Sequence, residues 1–483
     1  MDKARLYDLV EERRQVYCDL SDRIWEYAET RFEEKRSAEA LCAALEDAGF
    51  AVEREAGGIP CAFVATAGSG SPVIGFLGEF DALSGLSQQA GVAERAAREP
   101  GGNGHGCCHH LLGVGSLAAA VACRDYLREH NLPGTIKYFG CPGEEGGSGK
   151  AFMARAHLFD DLDVAISWHS SSMTKVMTGS SLANIQVYYR FTGRASHAGG
   201  SPHLGRSALD AVELMNVGVN YMREHIIPEA RVHYAVINTG GRSPNVVQPE
   251  AEVLYLIRAP QNSQVQELFA WVSDIARGAA MMTQTQVDIQ IDKACSNLIP
   301  NDTLARIMHE NLVAAPLPTA TAEEREFAHA IRATLTEAEL RKEETALIKE
   351  FGTADGRRLS AQLEGKELCD IVMPYKYSDR PSGGSTDVGD VSWIVPTVQC
   401  DVSCYALGTP GHSWQQVAQG KASWAHKGML LAAKAMAGTA LDLCLRPELI
   451  ATAKRELQEL VGAEGYRCPI PDGVVPSPVK RGQ

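Results

Sequence analysis

Two short runs concentrate side chains that bind metal ions. The first reads Gly102-Asn103-Gly104-His105-Gly106-Cys107-Cys108-His109-His110, the second Cys141-Pro142-Gly143-Glu144-Glu145-Gly146-Gly147-Ser148-Gly149. Thiolate is a soft donor, imidazole intermediate and carboxylate hard, and glycine lets the backbone turn tightly around such groups. Cys107 and His109 stand at i and i+2, so in an extended loop both reach one point, while Cys108 between them is expected to point away and pack. Glu144-Glu145 follows an apolar run directly, a costly place for ordinary surface charge, and the pair suits one metal ligand and one general base better than a solvated acidic loop. His169, and His412 in the run Gly408-Thr409-Pro410-Gly411-His412, are each as compatible with packing as with ligation when taken alone. Together Cys107, His109, Glu145, His169 and His412 are enough donors for two divalent ions and a bridging water.

The elements that must position these groups follow from hydrophobic pattern. Residues 73–78 are an uninterrupted apolar run ending in Glu79-Phe80-Asp81, residues 135–140 precede Glu144, and residues 164–168 precede His169. Three buried strands each ending in candidate ligands is the arrangement at the carboxyl edge of an open α/β sheet. A helix over residues 111–129 is expected to begin after His110 and to aim its positive end at the donors. Helical spacing recurs through residues 3–47, which should cover one sheet face. From residue 183 the character changes: an alternating strand to 191, a helix over 208–224, strands over 231–238 and 251–258, a helix over 265–282 and a strand over 286–291. That β-α-β-β-α-β order predicts an α+β module inserted into the first domain, giving a catalytic domain of residues 1–182 and 296–483 around an insert of 183–295. Beyond it, residues 321–351 read as a charged helical surface insertion, 368–373 as a strand, and 425–444 as a last helix before a Pro-rich, irregular tail.

Bulk properties narrow the class. A chain of 483 residues predicts two domains, and 46 basic against 60 acidic residues, a formal charge of -14, argues against nucleic-acid and anionic-membrane partners. Thirteen cysteines, an odd number without a regular framework, predict reduced thiols. The first residues lack an apolar signal-like core, and no run is expected to reach the roughly 18 apolar residues of a membrane span, so the cytoplasm is the expected compartment.

The Cys-x-His run, Gly-Glu-Glu-Gly-Gly, the later histidines, the string from Gly78 to Gly91, Ser201-Pro202-His203-Leu204-Gly205-Arg206-Ser207 and Ser385-Thr386-Asp387-Val388-Gly389-Asp390 resemble the M20 metallopeptidase family, in its aminoacylase-like amidohydrolase branch. The resemblance implies an α/β fold with a mixed-sheet metallopeptidase catalytic domain and an inserted α+β, ferredoxin-like lid and dimerisation domain. It puts the binuclear ligands on Cys107, His109, Glu145, His169 and His412 and the general base on Glu144; Cys108 and His110 depart from the branch's usual His-x-Cys-Gly-His pattern without touching a ligand position. It further implies that His197 is a catalytic histidine lent across a dimer interface, and that Asn245 and Arg258 contact substrate. The implied reaction is hydrolysis of an N-acyl amino acid, p-aminobenzoyl-glutamate favoured, by two divalent ions, manganese favoured and zinc the runner-up. The implied assembly is a homodimer or a heteromer with a related A-type subunit. Three other functions fit the same residues: a hydrolase of indole-acetyl-amino acids, other N-acyl amino acids or dipeptides, a non-catalytic partner subunit, and a cysteine-dependent hydrolase that would survive chelation.

Overall fold

The computed structural model describes residues 3–378, 381–463 and 465–478. In chain order its strands are β1 (Ala51–Arg54), β2 (Phe63–Ser69), β3 (Val73–Glu79), β4 (Gly134–Cys141), β5 (Val164–Ser171), β6 (Lys175–Met177), β7 (Ala183–Thr192), β8 (Arg231–Asn238), β9 (Glu250–Ala259), β10 (Gln286–Cys295) and β11 (Thr397–Ser403). Among the described residues they form a seven-stranded mixed sheet, ordered β1-β2-β4-β3-β5-β11-β6, and a four-stranded sheet, ordered β10-β7-β9-β8.

In the larger sheet β3 lies parallel to β4 and β5, and β11 runs parallel to β5, while β1, β2 and β6 pair antiparallel. Every residue of β3 after Val73 is buried, which is what an apolar run without alternation requires of a strand covered on both faces. The carboxyl ends of β3, β4, β5 and β11 therefore open on one edge of the sheet. The helix His109–Glu129 crosses one face and is buried from His109 through Leu127. It starts two residues earlier than its pattern suggests, because Cys108 takes a left-handed backbone (φ 59°) and turns the donor loop straight into the first helical residue.

Against that helix pack Ala4–Glu11, Arg14–Tyr27 and Ser423–Leu445. The last corrects one expectation, since it is long and apolar enough to cross a membrane by length and composition. Its apolar window is 83% buried inside the protein, and it serves here as a core helix. Two further expectations fail. Residues 368–373 form no strand, only an isolated bridge between Thr174 and Val372. The tail begins with a helix, Pro447–Val461, whose proline sits in the first turn, where a missing N–H breaks nothing, and whose Ile450, Ala453 and Leu457 make a buried stripe. The charged insertion is helical as its pattern predicts, but Leu347, Leu359, Leu363, Met373 and Leu407 give it a small core of its own.

The four-stranded sheet is antiparallel throughout, and the helices Ala208–Met222 and Asn262–Thr283 cover one of its faces. Ile185, Val187, Tyr189 and Phe191 of β7, with Val253, Tyr255 and Ile257 of β9, fill that side. At the edge, β8 leaves Tyr234, Val236 and Ile237 exposed, and the adjacent helix exposes Leu214, Val217 and Tyr221. An unpaired apolar edge beside an apolar helix face is a surface made for association.

Candidate metal centre

Five donors distant in sequence meet at the carboxyl edge of the larger sheet. Cys107 ends the loop before the long helix, His109 is that helix's first residue, Glu145 sits in a one-turn helix after β4, His169 is within β5, and His412 lies on the loop after β11. Cys107 Sγ is 3.3 Å from His169 Nε2, and His412 Nε2 is 3.3 Å from Glu145 Oε1. Cys107, His109 and His169 form one set of potential ligands, and Cys107, Glu145 and His412 another, with donor atoms within 4.8 Å of one another in each. The two sets share one atom, the Cys107 sulfur.

Backbone ties explain how such remote residues converge. The His412 N–H donates to Gly106 O at 3.0 Å, and Ser170 Oγ donates to Cys107 O at 3.1 Å, so the loops after β11 and the end of β5 are both sewn to the cysteine loop. Asp81, just past β3, accepts from the Glu145 N–H at 2.9 Å and lies 2.8 Å from His109 Nδ1. That contact fixes the His109 tautomer and leaves Nε2 free to bind an ion. The turn into Glu144 needs Gly143 at φ +66°, and a Cβ at Gly149 would come within 1.8 Å of Pro142 O. The glycines bracketing the two glutamates are thus required by the backbone path.

The electrostatics suit a cation. His109 Nε2 is buried without a hydrogen-bond partner among the described residues, and Glu145 Oε1, likewise buried, makes an ion-pair contact with His412. Burying unsatisfied polar atoms costs about 1–3 kcal/mol each, a cost that ligation removes. Against burial and the Glu145 carboxylate, the imidazoles of His169 and His109 bring the Cys107 thiol down to about 6. Burial works against Glu145 too, but His412 and His109 draw it to about 2. His412, through contacts with Cys107 and Glu145, is raised to about 10. Anionic sulfur and carboxylate held among imidazoles match the soft, borderline and hard donors of a divalent transition-metal site.

A second carboxylate layer lies behind the donors. Glu79 is also near His109 Nε2 (3.4 Å), and Glu144 Oε2 is 4.0 Å from it. Lys150, fully buried, is 2.7 Å from Glu79 Oε1 and also pairs with Asp387. Because Lys150 neutralises Glu79, the grouping of Glu79, His109 and Glu144 is balanced by an internal cation. Burial first, then the carboxylates of Glu79 and Asp387, hold Glu144 well above the usual carboxylate range. Sequence pattern marks Glu79 and Asp81 as strand-end acids but gives no sign of Lys150, whose surroundings, Gly149 and Ala151, read as an ordinary helix start.

Cys108 is buried and packs, as its place between two donors suggests. His110 is turned away, with Nε2 2.9 Å from Gly420 O and its ring against His105 at 4.8 Å, and burial pushes its pKa well below that of a free histidine. Arg258 lines the cavity of about 370 Å³ that also contains Cys107, Glu144, Glu145, His169 and His412. His197 and Asn245 do not line it. They stand side by side on exposed loops of the smaller sheet, where the Ala198 N–H donates to Asn245 O and the Gly199 and Gly200 N–H groups donate to His197 Nδ1 at 3.1 and 2.9 Å.

A mixed sheet carrying candidate metal donors on its carboxyl edge, with an α+β sheet inserted beside it, is matched by relatives that make the chain a metallo-amidohydrolase. The M20 peptidase dimerisation domain profile matches residues 180–281. The chain is 51% identical to the B-type subunit of p-aminobenzoyl-glutamate hydrolase from Escherichia coli (strain K12), over 98% of each. Among solved structures it is similar to an aminobenzoyl-glutamate utilization protein from Klebsiella pneumoniae (TM-score 0.59, 17% identity, 91% of this chain and 98% of that one). It is also similar to a dinuclear metal binding peptidase of the M20 family from Bacillus subtilis (TM-score 0.51, 15% identity, 89% of this chain and 98% of that one). The chain belongs to the M20 family.

Proposed function

We propose that this protein hydrolyses the amide bond of N-acyl amino acids whose acyl group is aromatic, with p-aminobenzoyl-glutamate as its substrate. The observation that carries this reading is the pair of donor sets sharing Cys107 Sγ, with Glu144 beside them in the same cavity as Arg258. The relative of matching length, a p-aminobenzoyl-glutamate hydrolase subunit, supports the choice of substrate.

Cys107, His109, Glu145, His169 and His412 would hold two divalent ions. Manganese is the proposed metal; the soft thiolate makes zinc its competitor. Such ions, when bound, lower the pKa of a water molecule toward neutrality and polarise the amide carbonyl. Glu144 takes the proton from the attacking water and returns it to the departing amide nitrogen, a double role open to a carboxylate beside the donor sets. Arg258 orients the substrate through its carboxylate, since a guanidinium matches two carboxylate oxygens at once.

His197 and Asn245 complete the site from a second subunit. His197 Nδ1 accepts two backbone N–H groups, which leaves Nε2 as the donor a developing oxyanion requires. Docking through β8 and the helix Ala208–Met222 would bury Tyr234, Val236, Ile237, Val217 and Tyr221. The partner is a second copy of this chain or a related A-type subunit. In this reading residues 183–295 act as lid and dimerisation module on a catalytic domain of 1–182 and 296–483, in the cytoplasm, where all thirteen cysteines stay free thiols.

The test is turnover of a panel of aroyl-, indolyl- and acyl-amino acids and dipeptides by metal-loaded and chelated protein, with and without an A-type partner. Loss of p-aminobenzoyl-glutamate hydrolysis on chelation and its return with manganese are expected. Turnover that survives chelation would instead support the cysteine-dependent alternative.

A further inference from the structure

The smaller sheet turns its uncovered face toward the cavity, and that face carries two cations for which the described residues supply no ion-pair partner. Arg258 of β9 and Lys293 of β10 both line the cavity, with Asn184 of β7 between them. Lys293 is only 8% exposed, and its ammonium, open to the cavity, has no hydrogen-bond or ion-pair partner among the described residues. Arg258 Nε and Asn184 Oδ1 are buried and unpaired. The acids lining the same cavity face other groups: Glu145 is beside His412, Asp387 pairs with Lys150, Glu144 is near His109, and Asp401 interacts with Lys175 and His169.

The local fold puts Lys293 there. Along β10, Val287, Ile289 and Ile291 pair with Phe191, Tyr189 and Val187 and point into the helix-covered core. Strict alternation would send residue 293 into that core as well. A bulge between Ile291 and Lys293 inserts Asp292 and reverses the sense, so that Lys293 pairs with Gln186, Ala294 takes the core position opposite Ile185, and Cys295 faces Asn184. The bulge is clamped: Arg31 grips Asp292 with both terminal nitrogens (3.0 and 3.2 Å), and Gln186 Nε2 donates to it at 2.7 Å. Arg31 also donates to Gly146 O, beside Glu145. The backbone irregularity that aims Lys293 is thus anchored to the turn that carries the catalytic glutamates.

We infer that Lys293 is a specificity residue that binds a second carboxylate, the one on the side chain of the departing amino acid, while Arg258 takes the first. This rests on the amidohydrolase reading above and narrows it to acyl derivatives of glutamate and aspartate. Arg258 and Lys293 stand on the two strands flanking β7, opposite Asn184 and Gln186, so their backbones are about 12 Å apart across the sheet. Both side chains are long enough to close on a molecule whose two carboxylates lie a few bonds apart. A monocarboxylate would leave one buried cation without an anion, and that is the physical basis of the discrimination.

The experiment compares p-aminobenzoyl-glutamate with p-aminobenzoyl-glutamine, which has nearly the same shape and lacks the charge. It uses the manganese-loaded wild type, Lys293→Met, Lys293→Arg and Arg258→Met. In parallel, the affinity of the same proteins for free L-glutamate and L-glutamine is measured by calorimetry. The wild type is expected to prefer the glutamyl substrate, and Lys293→Met to reduce that preference about 50-fold, mainly through KM. Lys293→Arg should restore most of it, and Arg258→Met should depress both substrates alike. A glutamyl to glutaminyl ratio unchanged in Lys293→Met, or wild-type binding that does not distinguish glutamate from glutamine, overturns the proposal. If no aroyl-amino acid is turned over but glutamate binds more tightly than glutamine and loses that advantage in Lys293→Met, the substrate reading fails while the role of Lys293 stands.

Discussion

Two buried lysines lie near the donors, Lys293 lining their cavity and Lys150 behind it with Glu79 and Asp387, and they are held in opposite ways. On the floor, Lys150 sits between Glu79 and Asp387, behind a donor set of one thiol, one carboxylate and three imidazoles. On the smaller sheet, Lys293 and Arg258 have no ion-pair partner among the described residues. The floor is a set of donors suited to cations, and the smaller sheet offers a pair of cations without anions. The difference teaches that metal ions would complete one wall and an anionic amino acid the other.

The sharpest way to break the contrast is at Glu144. Replacing it with Gln keeps the shape and removes the base, and kcat is expected to fall by about 10²–10⁴ while metal content measured on the same sample stays at the wild-type level. A variant retaining full turnover would remove Glu144 from the chemistry. The lysines come next. Lys150→Met strands two buried carboxylates and should destabilise the protein by about 3–5 kcal/mol in denaturant unfolding. Lys293→Met removes a cation with no protein partner and should leave the unfolding midpoint near that of wild type. Equal losses would dissolve the distinction between the walls.

Asp81→Asn sharpens the floor's side. It weakens the contact that orients His109, and metal affinity should drop about 10- to 100-fold by competition with a chelator, with little change in fold. The smallest effect is a pH dependence. In chelated protein the Cys107 thiol, held at about 6 by His169 and His109 against burial and Glu145, should be alkylated with a midpoint near that value rather than near 9, and metal should protect it. A thiol acidified by folding favours the folded state fully above its unfolded pKa, and that contribution is lost as the pH falls through about 6. Chelated protein should therefore lose stability on acidification in that range, and Cys107→Ser should lose this dependence.

Much of the floor was legible in the chain because Glu145 and His169 lie at the ends of apolar strands and His109 opens a helix, and strand ends are where this architecture gathers its sites. The early start of the long helix was not, because the left-handed turn at Cys108 is set by the loop's tertiary ties rather than by its residue type. The core role of Ser423–Leu445 escaped for a related reason: composition cannot tell a helix buried in protein from one buried in lipid. His197 and Asn245 were marked only by resemblance, and they occupy a surface away from the cavity in a single chain.

The amino-acid order by itself determined the period of each element, the placement of donors at strand ends and the glycines that allow the turns, since these depend on residues near one another in the chain. Which acids are neutralised, which cations are left over, and which way Lys293 faces were decided only in three dimensions. A single inserted residue at Asp292, clamped by an arginine 261 positions away, inverts the face of everything after it, and no local pattern encodes that clamp.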